Sequence, residues 1–219
     1  MRLYLASSRL GDTFPELLRL AGQGARVAVV SNALDAISQE SRAAYARTVF
    51  DPVAHFRENG LQAHDLDLRL YFGRGAALAE VLVKVDLVWA VGGNAFLLRR
   101  AMRQSGFDAI VPGLVWANQL MYGGWSAGAC VAGPTLRGLE RMDDPAELAD
   151  GYAPETVWEG LGLIDGALVP HYGSDHPEAR AAAVAATWMR DHGVPHRTLR
   201  DGDVLIQNGE DLELRVGRA

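Results

Sequence analysis

The chain has 219 residues, enough for one sizeable domain with a full core, and its 49% hydrophobic and 22% charged residues are those of an ordinary soluble globular protein. A formal net charge of -6 with no cluster of Lys and Arg argues against nucleic acid as a partner. The single cysteine, Cys130, rules out an internal disulfide and a cysteine-based metal centre; no run is apolar enough for a membrane span or a signal-peptide core, so the expected location is the cytoplasm.

Residues 3–6 read as a first strand and 15–21 as a helix. Residues 26–30, Arg-Val-Ala-Val-Val, form a short apolar run suited to a strand covered on both faces. A long helical pattern from 38 to 58 ends at Asn59-Gly60. A strand at 62–66, a helix at 76–83 and an apolar strand at 85–91 follow, the last closing on Gly92-Gly93. Asn94 then opens a helix as its N-cap. A helix interrupted near Pro112 spans 107–118, and residues 120–125 form the strand that leads to Ser126. Residues 138–160 are acidic and loop-like. A strand at 163–169, an Ala-rich helix at 178–191 and a hairpin at 204–216 turning near Asn208-Gly209 complete the chain. The alternation of strands and helices predicts an α/β fold with a mostly parallel sheet and helices on both faces, in one domain over 1–219. Sites in such sheets lie beyond the carboxyl ends of the strands.

Two of those ends carry chemistry. Gly124-Trp125-Ser126-Ala127-Gly128 has the Gly-x-Ser-x-Gly form of a nucleophile elbow, in which small neighbours let the backbone fold tightly under an exposed serine. The N–H of Ala127, with that of Gly93 at the neighbouring strand end, would receive negative charge developing on a substrate carbonyl. A serine hydroxyl needs a base. Of the six histidines, His171 follows an apolar strand and Pro170, at the edge that Ser126 shares. The acid behind it is sought among Glu140, Asp143 and Asp144, giving the chain order Ser, acid, His. Cys130, four residues past Ser126, reads as a buried packing residue, and His171, Asp175 and His176 form too loose a cluster for a metal.

These segments resemble a known family. Val91-Gly92-Gly93-Asn94-Ala95-Phe96, the elbow with its downstream Pro134-Thr135, Pro170-His171-Tyr172, and Asp175-His176-Pro177-Glu178-Ala179-Arg180 are similar, in order, to the motifs of peptidase E, the aspartyl dipeptidases of serine peptidase family S51. The resemblance implies a fold like class I glutamine amidotransferases, a flavodoxin-like three-layer sandwich. It implies a metal-free, cofactor-free serine exopeptidase that removes an N-terminal Asp from Asp-Xaa dipeptides or short peptides. Carried over by position, Ser126 is the nucleophile, His171 the base, and Gly93 and Ala127 the oxyanion donors, while Asn94 and Arg180 hold the substrate. The family's triad Asp aligns with Arg141 here, which cannot accept an imidazole N–H, so the role passes to Glu140, Asp143 or Asp144, or the triad is incomplete; the adjacent Glu140 is favoured. The loop 138–160 is expected to act as a lid. A small peptide is the expected partner, with no nucleic acid or membrane, and the protein is expected to be a monomer or homodimer. The competing readings are a cyanophycinase-like peptidase or esterase with the same elbow, and an inactive binding protein of this fold.

Overall fold

The computed structural model describes residues 1–218. In chain order the elements are β1 (Arg2–Ala6), α1 (Phe14–Ala21), β2 (Arg26–Val30), α2 (Gln39–Thr48), α3 (Pro52–Glu58), β3 (Gln62–Asp65), α4 (Gly75–Leu82), β4 (Leu87–Ala90), α5 (Ala95–Ser105), α6 (Phe107–Trp116), β5 (Met121–Trp125), α7 (Ala127–Cys130), β6 (Ala167–Val169), α8 (Ala179–Asp191), β7 (His196–Thr198), β8 (Val204–Asn208) and β9 (Asp211–Arg215). The main sheet has the order β3-β2-β4-β5-β1-β8-β9. Its first five members run parallel, and the β8–β9 hairpin adds antiparallel to β1. The strands β6 and β7 form a separate parallel pair.

Alternation along the strands explains the layers. Leu3, Leu5, Val88 and Tyr122 point to one face, where Phe96 of α5, Phe107 of α6 and Ala182 of α8 pack. Tyr4, Val27, Trp89 and Met121 point to the other, against Leu17 of α1 and Phe56 of α3. Both faces of the central strands are thus removed from water, which is why β4 and β5 read as unbroken apolar or small-residue runs. None of the described helices is long and apolar enough to cross a membrane.

Three expectations change. The helix expected over 38–58 is two: Asp51 accepts from the Ala54 N–H at 3.0 Å and Pro52 opens α3, so a new cap ends the older pattern. Helix α6 runs through Pro112, because the burial of Phe107, Val111, Pro112 and Val115 holds it despite the lost N–H. The strand expected over 163–169 is only β6, since Leu163 donates instead to the Ala132 carbonyl.

The elbow is fixed by contact. Tyr122 on β5 donates its hydroxyl to the Gly128 carbonyl at 2.7 Å. A Cβ at Gly124 would lie 2.6 Å from the Ala90 carbonyl oxygen, and one at Gly128 would overlap that same oxygen outright. The glycines are required here by space between α7 and β4, not by a left-handed backbone. Gly128→Ala is therefore expected to cost about 1–3 kcal/mol, the range for overpacking, read as a lower thermal midpoint by calorimetry.

Candidate active site

Strand register brings the reacting groups together. Ala6 pairs with Trp125, so Ser7 and Ser126 leave the sheet side by side, and the Ser126 N–H is shared between the carbonyls of Ala6 (3.2 Å) and Ser7 (3.1 Å). Val169 pairs with Thr198, so the residues after β6 and β7 emerge at one edge. Leu199 N–H donates to the Val169 carbonyl and Tyr172 N–H to the Leu199 carbonyl, tying the His171 turn to the turn that carries Asp201.

The result is a line of three groups. Ser126 Oγ lies 3.1 Å from His171 Nε2, and His171 Nδ1 lies 2.7 Å from Asp201 Oδ1. A carboxylate only accepts, so Nδ1 carries the hydrogen and Nε2 presents its lone pair to the serine. Ser7 braces the arrangement: its Oγ accepts from the His171 N–H at 2.8 Å and donates to Asp201 Oδ1 at 2.9 Å. Asp201 is held in turn by its own N–H donating to Ser174 Oγ at 2.8 Å. Burial pushes His171 below its ordinary pKa of 6.5, against the opposing pull of Asp201, so the ring is neutral and basic at pH 7.

Backbone strain concentrates here. Non-glycine residues with positive φ, among those described, are Arg9 (47°), Asn118 (56°), Ser126 (48°) and His171 (61°), and three of the four border one cleft. Each costs on the order of 1–3 kcal/mol and persists only where its surroundings enforce it. Gly93, at φ 134°, is pressed on the Ala33 carbonyl, where a Cβ would lie 2.6 Å from the oxygen. Its N–H donates to no described residue. Ala127 opens α7, so its N–H has no acceptor within the helix.

The cleft over Ser126 has a volume of 440 Å³. Its floor is Gly92, Gly93, Ser126 and His171, and its outer wall is Ile37 with Ser41, Arg42 and Tyr45 of the polar helix α2. Its cations are Arg9 and Arg42, and Glu178 is its carboxylate. Arg42 is committed to the Asp35 carboxylate at 2.9 Å. Arg9 has no hydrogen-bond partner among the described residues, and its guanidinium carbon lies 6.0 Å from the Phe50 ring centre. A second cavity of 550 Å³ adjoins this one on the side of Asp35 and Asp67, sharing Leu34, Arg42, Tyr45 and Trp125, but holds neither Ser126 nor His171.

Several expected roles fall differently. Glu140 does not reach His171: its carboxylate accepts from the Gly138 N–H two residues back. Asp144 likewise accepts from Ala146 N–H, and Asp143 from the Ala95 N–H at the start of α5. Asp201 takes the place sought among these three. Asn94 caps α5 through Oδ1 and spends its amide hydrogens on the Asp144 carbonyl and Glu147 carboxylate, so nothing is left for a substrate. Arg180 is exposed on α8 and does not border the cleft. The loop 138–160 does not border it either, because buried Arg100 clamps the carbonyls of Pro145, Glu147, Pro154 and Glu155. Cys130 is buried with its thiol held well above its ordinary pKa, which leaves it protonated and inert.

His171, His176 and Glu178 lie closer than expected, with potential ligand atoms within 4.8 Å. The two imidazoles, however, stack 3.8 Å apart with planes 7° from parallel. A metal lies in the plane of each imidazole that binds it, so this stacking does not serve one ion.

Asp143 carries a separate consequence. Desolvation raises its carboxyl from 3.8 to about 7 against the Ala95 hydrogen bond, with Glu178 and Glu147 adding to the rise. Over that window the folded state keeps a proton that the unfolded chain releases, so stability falls as pH rises from about 4 to about 7. Asp143→Asn keeps the acceptor for Ala95 and removes the charge. Calorimetry is expected to show a gain on the order of 2 kcal/mol at pH 8, vanishing near pH 4.

The same architecture occurs in solved peptidases. A protein of Listeria monocytogenes EGD-e, described as a candidate peptidase E, superimposes with a TM-score of 0.79 at 20% identity, over 98% of each chain. A peptidase from an acI-B1 Actinobacterium gives 0.65 at 17% identity, over 100% of this chain and 88% of that one. The fold is thus that of an α/β peptidase. Residues 5–215 match peptidase family S51, and the chain belongs to that family. Among its relatives, an uncharacterized peptidase of Pasteurella multocida is 28% identical over 83% of this chain and 81% of its own length. One of Listeria innocua is 32% identical over 43% of each chain. The peptidase E of Salmonella arizonae is 34% identical over 54% of this chain. The last two matches span less than half of the relative's length, 43% and 48%.

Proposed function

We propose that this peptidase is a serine exopeptidase that removes an N-terminal aspartate from Asp-Xaa dipeptides or short peptides through an acyl-enzyme. The observation that carries the reading is the unbroken line Ser126–His171–Asp201, set beneath a small cleft with an unpaired guanidinium. His171 takes the Ser126 proton as Oγ attacks the scissile carbonyl, then gives it to the leaving amine. The N–H groups of Gly93 and Ala127 receive the oxyanion. Water then attacks the acyl-enzyme, with His171 again as base. A carboxylate behind the imidazole supports this over the inactive binding protein, because a binding role places no demand on the tautomer of His171.

In this reading Arg9 takes the aspartate side chain. A planar guanidinium suits a carboxylate. Arg9 is the cleft cation not already paired, and its backbone is held at a strained φ beside Ser7. The test is hydrolysis of Asp-Leu beside Glu-Leu and Leu-Leu. Asp-Leu is expected to lead Leu-Leu by at least about 100-fold in kcat/KM, the scale of an unmet charged hydrogen bond. Arg9→Gln is expected to narrow that gap at least tenfold while Leu-Leu hydrolysis stays the same. Absence of Asp-Leu turnover by the folded protein would sink the substrate assignment.

A further inference from the structure

We infer that Glu178 is the anchor for the substrate's α-ammonium group, and so the residue that confines the enzyme to free N-termini. The inference rests on the exopeptidase reading above, but not on aspartate as the preferred residue. Glu178 is the carboxylate that borders the cleft holding Ser126. Its Oε2 lies 3.8 Å from His171 Nε2, the atom that faces Ser126 Oγ. That separation is too long for a hydrogen bond, and the Nδ1 side of the ring is already taken by Asp201. The carboxylate accepts no hydrogen bond from any described residue, and its side chain, which borders the cleft, is 44% exposed.

The backbone of Glu178, by contrast, is fixed. Its N–H donates to His176 Nδ1 at 3.2 Å, and its carbonyl accepts from Ala182 N–H in the first turn of α8. His176 is stacked flat on His171. The backbone that carries the carboxylate is therefore fixed beside the base, while the carboxylate oxygens remain unused.

Substrate geometry supplies the rest. An attacked carbonyl carbon must come within about 3.5 Å of Ser126 Oγ. In an N-terminal residue the α-nitrogen is two bonds from that carbon, roughly 2.5 Å away. It is mostly an ammonium at neutral pH, with a pKa of about 8. A cation is thus obliged to sit a few ångströms from the serine, and Glu178 is the carboxylate placed to meet it. In a longer peptide that nitrogen is a neutral amide with a further residue attached. It would leave Glu178 desolvated without a counter-charge.

The test compares Glu178→Gln with wild type on aspartyl-p-nitroanilide, its N-acetyl analogue and p-nitrophenyl acetate. The wild type is expected to reject the N-acetyl compound. Glu178→Gln is expected to lose roughly 10- to 100-fold in kcat/KM on the free-amine substrate, mostly through KM, as for loss of a charged hydrogen bond. Hydrolysis of the neutral ester is expected to fall far less than that of the free amine, and its acid limb to move to lower pH, because the Glu178 charge helps raise the His171 pKa. The inference fails if the variant matches wild type on the free amine. It fails equally if ester hydrolysis drops in parallel with that of the free amine, because Glu178 then acts through His171. If the wild type refuses aspartyl-p-nitroanilide but cleaves leucyl-p-nitroanilide with the same discrimination against N-acetylation, the aspartyl assignment falls and the Glu178 anchor stands. Equal wild-type rates on free and acetylated substrates overturn both.

Discussion

Ser126→Ala is expected to lower kcat on the best dipeptide by a factor on the order of 10⁵–10⁶, the effect seen when a triad nucleophile is removed. The fold should be unaffected. The Ser126 side chain bonds only to His171 among the described residues, and alanine keeps the same Cβ in the same φ 48° backbone. A thermal midpoint within a degree or two of wild type, with activity lost, would isolate the hydroxyl as the reacting group. Activity that survives the substitution would require another nucleophile. Cys130 is a poor substitute, since its thiol is buried against the Leu168 carbonyl and kept protonated by that burial. A surviving rate would therefore sink the serine mechanism rather than move it one turn along α7.

The elbow was legible because its requirements are local. Gly124, Gly128 and the positive φ of Ser126 follow from packing a helix end onto Ala90, and small residues at fixed spacing announce it. His171 was legible because it closes an apolar strand. The order of strands and helices was legible for the same reason, periodic burial written into short runs. The acid was not, because its position is set by a long-range pairing. Asp201 lies in Arg200-Asp201-Gly202-Asp203, which reads as an ordinary turn. Only the parallel pairing of β6 with β7 makes the ends of residues 167–169 and 196–198 coincide. Family order pointed instead to 140–144, whose carboxylates are absorbed in capping Gly138, Ala95 and Ala146. Ser7 was hidden similarly: one residue past a strand, it gains meaning only from the β1–β5 register. Arg180 was misplaced for a third reason. A motif gives the residue type, but the phase of α8 turns this one to solvent.

Asp201→Asn and Glu140→Gln separate the two assignments of the triad acid. Asp201→Asn is expected to lower kcat about 10³- to 10⁴-fold, because the imidazolium formed during attack loses its counter-charge and the Nδ1–H tautomer loses its enforcer. The pH profile should carry the sign. With neutral His171 as the proposed base, kcat/KM is expected to fall as pH drops through its pKa, which burial holds below 6.5 in the wild type. Asp201 raises that pKa against burial. Removing its charge therefore moves the acid limb to still lower pH, while the plateau above it sinks. Glu140→Gln leaves an acceptor for the Gly138 N–H and touches nothing in the cleft. Its kcat is expected to stay within about twofold of wild type and its stability within about 0.5 kcal/mol, as for a surface change that keeps its hydrogen bond. The reverse pattern, with Glu140→Gln inactive and Asp201→Asn active, would mean that the imidazole turns away from Asp201 during turnover. It would return the acid to the segment that precedes His171 in the chain.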